Sequence, residues 1–384
     1  MAAERFFFRQ PSFVSYGFGV ANEAGQEARD LGLSKVLIVT DRGVIAAGLL
    51  DGVLASLDDA GVGHVIYDGV GSNPETTMVD EALQMLKAEN ADGVVAVGGG
   101  SPMDTGKGVA FLATNGGRLY DYFGAPIPKP PLPNICIPTT AGTSSEVTNN
   151  IVFTDPDSRF KFGLSSPHCA ATRALVDPEM TLTLPRGLTA ATGMDALTHA
   201  IESVTSKGAY DLTKALALDA IRLIGKWLPV AVADGENREA RERMMMACLE
   251  AGIGFNQSRL TIVHSMSHPV SGWCGTPHGV ANAVLLPFVM AFNVPYAIDD
   301  FAAIAEALGA DVSGLSPREA AEAAVKRVRE LNEELDIPDG LMACGVTEGA
   351  IPDLTGDAMK SGGVRMNPRP VSEDDIVAIY KQAM

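Results

Sequence analysis

The 384-residue sequence has no run of basic residues, and its charge balance is strongly acidic. It contains 29 lysines and arginines against 47 aspartates and glutamates, which gives a formal net charge of −18. Proteins that bind nucleic acid need a positively charged footprint for the phosphate backbone, so DNA and RNA are not expected partners. A local positive pocket for a small phosphate-bearing ligand stays compatible with this composition.

Cysteine is scarce and scattered. No two cysteines have CxxC spacing, and their number is odd: Cys136, Cys169, Cys248, Cys274 and Cys344. This pattern makes a poor disulfide framework and a poor thiolate metal site. We therefore expect a protein of the reducing cytoplasm.

Long hydrophobic runs are also missing. No stretch approaches the roughly 18 uninterrupted apolar residues of a spanning helix, and the N-terminal MAAERFFFRQPSF lacks an apolar segment followed by a cleavage site. We expect neither secretion nor membrane insertion. Hydrophobic residues make up 46% of the chain, which is ample for sizeable cores. At about 150 residues per domain, the length indicates two domains.

The first half alternates short β-branched runs with helical patterns, which indicates a parallel sheet with crossover helices. The runs are continuous rather than alternating, as in strands covered on both faces. Strands are predicted at 35–40, 64–69, 93–100, 134–140 and 174–178.

From about Leu184 the pattern changes to helical spacing throughout. The boundary segment 184–188 carries Pro and Gly, and Thr189 is predicted to be the N-cap of the next helix. The sequence thus predicts an α/β domain over residues 1–184 and an all-helical domain over residues 185–384.

A glycine-rich turn follows the third predicted strand. Gly98, Gly99, Gly100 and Ser101 lead into a helix in which Pro102 is predicted at the first position. Such a turn brings backbone N–H groups and the helix dipole close to a pyrophosphate. A tight turn without any ligand explains the same residues about equally well.

Two further segments suit a dinucleotide. Asp41 directly follows the first predicted strand, where a carboxylate accepts hydrogen bonds from the adenosine ribose, or else caps the helix that starts there. A carboxylate facing the ribose repels a 2′-phosphate, which favours NAD over NADP. The hydroxyl-rich loop 137–148 either wraps a nucleotide or forms an ordinary polar turn.

Histidines and a carboxylate gather in the second half. Asp195 and His199 are four residues apart on one helix face, as metal ligands or as a hydrogen-bonded pair. His264, His268 and His278 fall within fifteen residues, and Pro269 is expected to end the helix that carries the first two. Spacing alone leaves open whether His264 or His268 is a ligand. An oxygen and three imidazoles suit Fe(II), Zn(II), Co(II) or Mn(II).

The chain resembles the iron-containing, or group III, alcohol dehydrogenase family in several motifs that occur in the family's order. They are DRG, GGGSPMDTGK, PTTAGTSSEVT, VDPEMTLTLP, ATGMDALTHAIE and HSMSHPVSGWCGTPHGVANAVLLP, and together they cover nearly the whole chain. The resemblance implies a dinucleotide-binding α/β domain, a helical domain, and a cleft between them for metal and cofactor.

The resemblance also implies roles for individual residues. The implied metal ligands are Asp195, His199, His264 and His278, which leaves His268 near nicotinamide and substrate as a candidate for proton transfer. The implied cofactor contacts are Asp41, Gly98, Gly99, Gly100, Ser101, Asp104, Thr139, Thr140 and Thr143. Lys161 resembles a lysine close to the cofactor ribose, or else is a solvated charge in a hairpin.

The function that follows is a metal-dependent NAD(H) oxidoreductase interconverting a small or medium primary alcohol and its aldehyde by hydride transfer. The expected ion is Fe(II), with Zn(II) as the alternative. PVSGWCGT departs from the family's commoner sequence, so Trp273 and Cys274 are expected to reshape the substrate pocket. The alternatives are an enzyme like glycerol dehydrogenase or dehydroquinate synthase, or a non-catalytic NAD- and metal-binding module.

A homo-oligomer, a dimer or higher, is expected from the N-terminal segment FFFRQPSFVSYG. The family often uses such an apolar ribbon to pair subunits. The alternative is an edge strand folded onto its own domain.

Overall fold

The computed structural model describes residues 5–156 and 160–384, which form two compact units. The first, called here the sheet unit, consists of Pro11–Thr189 together with Asp234–Met245. The second, called the helical unit, consists of Ala190–Ala233 and Met246–Met384, joined by the described residues up to Gln10.

The five predicted strands are all present, and a parallel sheet contains them. The strands of the sheet unit are β1 (Phe13–Tyr16), β2 (Lys35–Val39), β3 (Gly63–Tyr67), β4 (Gly93–Gly98), β5 (Asn134–Pro138), β6 (Asn150–Thr154), β7 (Lys161–Ser165) and β8 (Arg173–Val176). Six of them form one sheet in the order β1-β8-β5-β4-β2-β3, with every neighbouring pair parallel. The other two, β6 and β7, form an antiparallel hairpin.

The sheet is covered on both faces, as the continuous apolar runs predict. Val36 and Ile38 of β2 belong to one apolar cluster, while Leu37 and Val39 belong to another, and all four side chains are fully buried. Alternate residues of a strand point to opposite faces, so each face of β2 has its own core.

The helices of the sheet unit are short except for the two that follow the edge strand β3 and the inner strand β4. They are α1 (Ala24–Asp30), α2 (Arg42–Ala46), α3 (Asp51–Asp59), α4 (Thr76–Ala88) and α5 (Gly100–Asn115). Helix α5 begins at Gly100, so Pro102 is its third residue and the predicted first position is wrong by two residues. Proline is tolerated throughout the first turn because N–H groups there have no partner within the helix.

The remaining helices confirm the predicted change to an all-helical second half. They are α6 (Arg186–Thr205), α7 (Asp211–Ala233), α8 (Arg238–Ser258), α9 (Ile262–Cys274), α10 (His278–Asn293), α11 (Ile298–Ala307), α12 (Pro317–Glu334), α13 (Ile351–Met359), α14 (Gly363–Met366) and α15 (Glu373–Gln382).

Two local predictions about these helices are wrong. Thr189 is not an N-cap, because α6 begins three residues earlier and the Thr189 hydroxyl donates back to the carbonyls of Leu184 and Pro185. Pro269 does not end α9, which continues to Cys274 and ends at Gly275 with φ of 69°. Proline removes one backbone hydrogen bond, and the buried side chains of α9 offset that loss.

One described stretch, His278–Tyr296, is long and apolar enough to cross a membrane by length and composition alone. Of its most apolar window, 61% is buried inside the structure. It comprises α10, which packs against α9 and α12. Burial in the core of the helical unit accounts for its apolar sequence.

The N-terminal segment is partly built into the sheet. Phe13–Tyr16 forms β1, the edge strand that pairs in parallel with Arg173–Val176. For these four residues the structure therefore shows the edge-strand alternative. The preceding Phe6 stacks on Tyr210 of the helical unit, with ring centroids 4.2 Å apart.

Gly106 lets α5 lie close against the sheet, and its replacement tests this packing. A Cβ at this position would lie 2.7 Å from the Cβ of Ala96 in β4. We predict that Gly106→Ala lowers the free energy of unfolding by about 1–3 kcal/mol, because overpacking outweighs the better helix propensity of alanine. The matched control is Gly356→Ala in α13, where a Cβ meets nothing within 4 Å. Urea unfolding should show the control unchanged or stabilised by up to about 1 kcal/mol; equal effects would contradict the packing argument.

Candidate metal centre and dinucleotide site

Helix α6 contributes two of the predicted metal ligands from adjacent turns of one face. Asp195 and His199 are both buried, with 2% and 5% of their surfaces exposed. The Oδ1 atom of Asp195 lies 4.0 Å from Nε2 of His199. The spacing of four residues therefore does bring both side chains to one place.

Helices α9 and α10 bring two more imidazoles to the same carboxylate oxygen. Asp195 Oδ1 lies 3.7 Å from Nε2 of His264 and 3.9 Å from Nε2 of His278. The rings of His199 and His264 are stacked, with centroids 4.5 Å apart. Three imidazole nitrogens thus surround one buried carboxylate oxygen.

The start of α10 approaches α6 closely, which places His278. A Cβ on Gly279 would lie 2.1 Å from the carbonyl oxygen of Ala191. Only a glycine permits this approach of helix to helix. His278 is the first residue of α10, so its position depends directly on that contact.

The donor set fits a divalent metal ion. Asp195, His199 and His264 offer ligand atoms that all lie within 4.8 Å of one another. Ligand atoms that share one ion at about 2.1 Å in tetrahedral geometry lie about 3.4 Å apart, slightly closer than the separations around Asp195. Carboxylate oxygen and imidazole nitrogen together suit a first-row divalent ion.

Charge inside this cluster is balanced between carboxylates and imidazoles. Burial favours a neutral Asp195, but the nearby imidazoles outweigh burial and hold the pKa of that carboxyl far below its usual range. Burial also favours a neutral His264, yet the charge of Glu202 and the hydrogen bonds that His264 donates to Asp195 and Glu202 raise its pKa to about 9. The imidazoles therefore hold the carboxylates of the cluster in their ionised form.

Two polar residues around the ligands were missed by the sequence analysis. Glu202 Oε2 lies 2.5 Å from Nδ1 of His264, and the Asn282 amide donates to Asp195 Oδ1 at 2.6 Å. The Asn282 nitrogen also lies 3.2 Å from Nε2 of both His264 and His278. Their spacing was an available signal, because Glu202 is three residues after His199 and Asn282 four after His278.

His268 lies beside the cluster, on the same helix as His264. Its ring centroid is 6.1 Å from that of His264 and 5.1 Å from that of His278. Farther along α9, Trp273 donates from Nε1 to Asp357 Oδ2 at 3.0 Å, and Cys274 is the last residue of the helix. Trp273 is therefore held by a partner within the helical unit.

In the sheet unit, the glycine turn and the hydroxyl-rich loop come together. Gly98 ends β4 and pairs with Pro138 at the end of β5, so both loops leave the same edge of the sheet. A Cβ on Gly99 would lie 3.4 Å from the Thr140 methyl group, and one on Gly100 would lie 2.8 Å from that of Thr143. Parallel sheets bind ligands at this edge.

Gly98 and Gly100 are required by this geometry. Gly98 has a φ of 153°, and a Cβ there would lie 2.5 Å from Cγ of Pro102. The turn is therefore compact and leaves the first N–H groups of α5 without helical partners, the arrangement that attracts a phosphate.

The other predicted cofactor residues also lie in the sheet unit. Asp41 caps α2, because its Oδ1 accepts from the backbone N–H groups of Gly43 and Val44. Ser101 donates to the carbonyl of Ser72. Asp104 accepts from the Ser145 hydroxyl and from the Val152 N–H, and Thr139 is buried, with its N–H donating to the Gly98 carbonyl. Lys161 is the first residue of β7 and so does lie in a hairpin.

Lys107 holds the hydroxyl-rich loop in place through its backbone carbonyls. Its side chain is buried, and its ammonium donates to the carbonyls of Ser145 and Asn150 at 2.8 and 2.7 Å. The sequence analysis missed this role because a lysine within GGGSPMDTGK reads equally well as a ligand contact.

Comparison with known proteins decides the family. The family model described as "Iron-containing alcohol dehydrogenase" matches residues 11–178. The model described as "Fe-containing alcohol dehydrogenase family, C-terminal" matches residues 189–384. The chain belongs to the iron-containing alcohol dehydrogenase family. The two matched regions together cover both units, and the predicted family and fold class are confirmed.

Individual relatives match this alcohol dehydrogenase over its full length. It is 42% identical to a 1,3-propanediol dehydrogenase of Klebsiella pneumoniae, covering 100% of both chains. It is also 42% identical to an NAD-dependent methanol dehydrogenase of Bacillus methanolicus, covering 98% of this chain and 99% of the other. A crystal structure of a 1,3-propanediol oxidoreductase superposes with a TM-score of 0.96 at 42% identity, covering 99% and 100% of the two chains. The predicted enzyme class, an NAD-dependent alcohol dehydrogenase, is confirmed.

The contact between Gly279 and Ala191 gives a test of how the metal centre is assembled. We predict that Gly279→Ala weakens Zn(II) binding at least about tenfold and lowers the free energy of unfolding by about 3 kcal/mol, because the added Cβ forces α10 away from α6. The control is Gly187→Ala on α6, where a Cβ meets nothing within 4 Å. Chelator competition measures the zinc affinity, and urea unfolding measures the free energy of unfolding. Wild-type zinc affinity in the Gly279 variant would show that this contact does not place His278.

Proposed function

We propose that this enzyme interconverts a short primary alcohol and its aldehyde, using NAD(H) and one divalent ion held by Asp195, His199, His264 and His278. The observation that carries the proposal is the convergence of three imidazole Nε2 atoms within 4.0 Å of the buried Asp195 Oδ1. In an alcohol dehydrogenase of this family, that convergence is the natural place to polarise an alcohol oxygen.

The ion we assign is Fe(II), with Zn(II) as the alternative, in keeping with the family's description and with the oxygen and nitrogen donors. When bound, the ion supplies Lewis-acid polarisation of the alcohol oxygen, and NAD supplies the two-electron acceptor. Asp195 and the three imidazoles orient the ion. Asp195, His199 and His264 are buried, whereas the His278 side chain is 22% exposed.

We assign dinucleotide binding to the edge of the sheet where β4 and β5 end. The N–H groups at the start of α5 bind the pyrophosphate next to Gly98, Gly99, Gly100 and Ser101, and Thr140 and Thr143 form the adjoining wall. The remaining assigned contacts are Asp104, Thr139 and Lys161. Both cap bonds of Asp41 use Oδ1, which leaves Oδ2 to accept from the ribose hydroxyls.

His268 is the residue we assign to proton transfer. Its ring lies beside those of His278 and His264, with centroids 5.1 and 6.1 Å away. An imidazole donates and accepts protons near neutral pH, so His268 can remove the alcohol proton directly or through water.

The relatives point to short substrates. They include enzymes named for 1,3-propanediol, methanol and lactaldehyde, the last being a reductase of Escherichia coli at 40% identity. We therefore propose a primary alcohol of a few carbons. Trp273 and Cys274, between His268 and His278, are the residues we expect to tune its size.

We further infer a homo-oligomer in the cytoplasm. The exposed side chains of Phe6, Phe7 and Phe8 support self-association, because a contiguous apolar surface favours a protein partner. Five dispersed free cysteines support a reducing compartment.

The separate roles of His278 and His268 can be tested by metal content and turnover. We predict that His278→Ala loses the ion on dialysis and loses activity, because one of four ligands is gone. His268→Gln should keep one ion per chain while its kcat falls by about 10²–10⁴-fold, the contribution typical of a proton-transfer group. Mass spectrometry of bound metal and steady-state kinetics measure both. Stoichiometric metal in the His278 variant would overturn the ligand set, and metal loss in the His268 variant would make His268 a ligand.

Cofactor choice tests the role of Asp41 separately from its role as a helix cap. Asp41→Ser removes the carboxylate charge but keeps a good N-capping side chain. We predict that the ratio of kcat/KM for NADP to that for NAD rises about tenfold, equivalent to about 1.4 kcal/mol, because the charge no longer repels the 2′-phosphate. Thermal unfolding controls for the cap and should change little. An unchanged ratio would show that Asp41 does not face the ribose.

A further inference from the structure

Glu202 is a fully buried carboxylate, and both of its oxygens contact the segment 261–264 of the helical unit. Only 1% of its surface is exposed. Oε1 accepts from the Thr261 hydroxyl at 2.6 Å and from the Val263 N–H at 2.7 Å. Oε2 faces Nδ1 of His264 at 2.5 Å. A buried charge of this kind is costly unless every oxygen has a partner, and here both oxygens have one.

The hydrogen bond from the Val263 N–H to Glu202 joins two helices. Glu202 is on α6, whereas Val263 is the second residue of α9, and its N–H is one of those without a partner inside the helix. Thr261, the residue before α9, offers no side-chain cap of its own. The carboxylate therefore caps α9 from a neighbouring helix, where the helix dipole also favours a negative charge.

The contact between Glu202 and His264 decides which ring nitrogen carries the proton when the imidazole is neutral, as it must be to bind a metal ion. An ionised carboxylate only accepts hydrogen bonds, so Nδ1 must be the donor. Nε2 then keeps its lone pair in the form that binds metal, and it faces Asp195 Oδ1 at 3.7 Å. Carboxylates behind ligand histidines commonly fix ring orientation in this way.

We propose that Glu202 is a positioning residue of the metal centre, which holds His264 with its proton on Nδ1 and fixes the start of α9 against α6. The inference rests on the proposed ligand set, and it adds the residue that holds one of the ligand imidazoles in its orientation. Glu202 touches neither ion nor substrate in this account. It acts through His264.

The direct test compares Zn(II) affinity of Glu202→Gln and the wild type by chelator competition. The glutamine oxygen can still accept from Thr261 and Val263, which turns its NH₂ group toward Nδ1 of His264. That arrangement favours the wrong tautomer, with hydrogen on Nε2, so affinity should fall about 10–100-fold. Glu202→Asp keeps the charge at a shorter reach and should bind zinc more tightly than the glutamine variant.

Ser203→Ala is the matched control for loss of a buried polar contact on the same helix. Ser203 is buried next to Glu202 in sequence, and its hydroxyl lies 2.8 Å from that of Ser258. This variant should lower the melting temperature of the metal-free protein but leave zinc affinity unchanged. A merely structural Glu202 would behave like Ser203, with lower stability and wild-type affinity.

A measurement on the wild type does not depend on any variant folding. With ¹⁵N-labelled histidine, the zinc-loaded protein should show His264 protonated at Nδ1 and without hydrogen on Nε2. Hydrogen on Nε2 would overturn the proposal, as would equal zinc affinity of the Glu202→Gln and wild-type proteins. If the wild type binds no zinc at all, the proposed metal function fails first, so the two failures are distinguishable.

Discussion

The helical unit depends on how one buried negative charge is compensated. Asp195 is almost fully enclosed, and an isolated carboxylate in that position would be strongly destabilising. Imidazoles from three helices, α6, α9 and α10, meet its Oδ1 atom, and the Asn282 amide donates to the same oxygen. The compensation of this charge therefore links the packing of these three helices to the cation binding that we propose.

The surrounding structure keeps these groups at fixed positions. Gly279 lets α10 begin directly against the backbone of α6, and Glu202 ties the start of α9 to α6 while orienting His264. In the sheet unit, too, some residues shape the candidate site while others hold its backbone in place. Gly98 and Gly100 permit a compact turn, while the buried Lys107 fixes the carbonyls of the neighbouring loop. In both units the residues that we propose to face a ligand are held by buried polar contacts behind them.

Much of the fold could be predicted because its signals are local. Continuous apolar runs gave the five strands, and helical spacing gave the second half. The errors arose where distant contacts override local rules: Pro269 lies inside α9 because that helix is buried, and the Thr189 hydroxyl bonds backward to carbonyls. Spacing on α9 could not choose between His264 and His268, since both share a face. In the structure His264 lies 3.7 Å from Asp195 and 2.5 Å from Glu202, and His268 lies beside it on the same helix. The spacing of Glu202, three residues after His199, placed it on the ligand face of α6, but its partners, Thr261 to His264, are about 60 residues away and could not be read from that spacing.

The central claim is that one carboxylate and three imidazoles bind a single divalent ion. X-ray absorption spectroscopy of the protein loaded with one equivalent of Zn(II) tests it most directly, because multiple scattering identifies imidazole and sulfur gives a longer bond, at about 2.3 Å rather than about 2.0 Å. The account predicts three imidazoles and at least one oxygen, without sulfur. A sulfur shell, or fewer than three imidazoles, would contradict it.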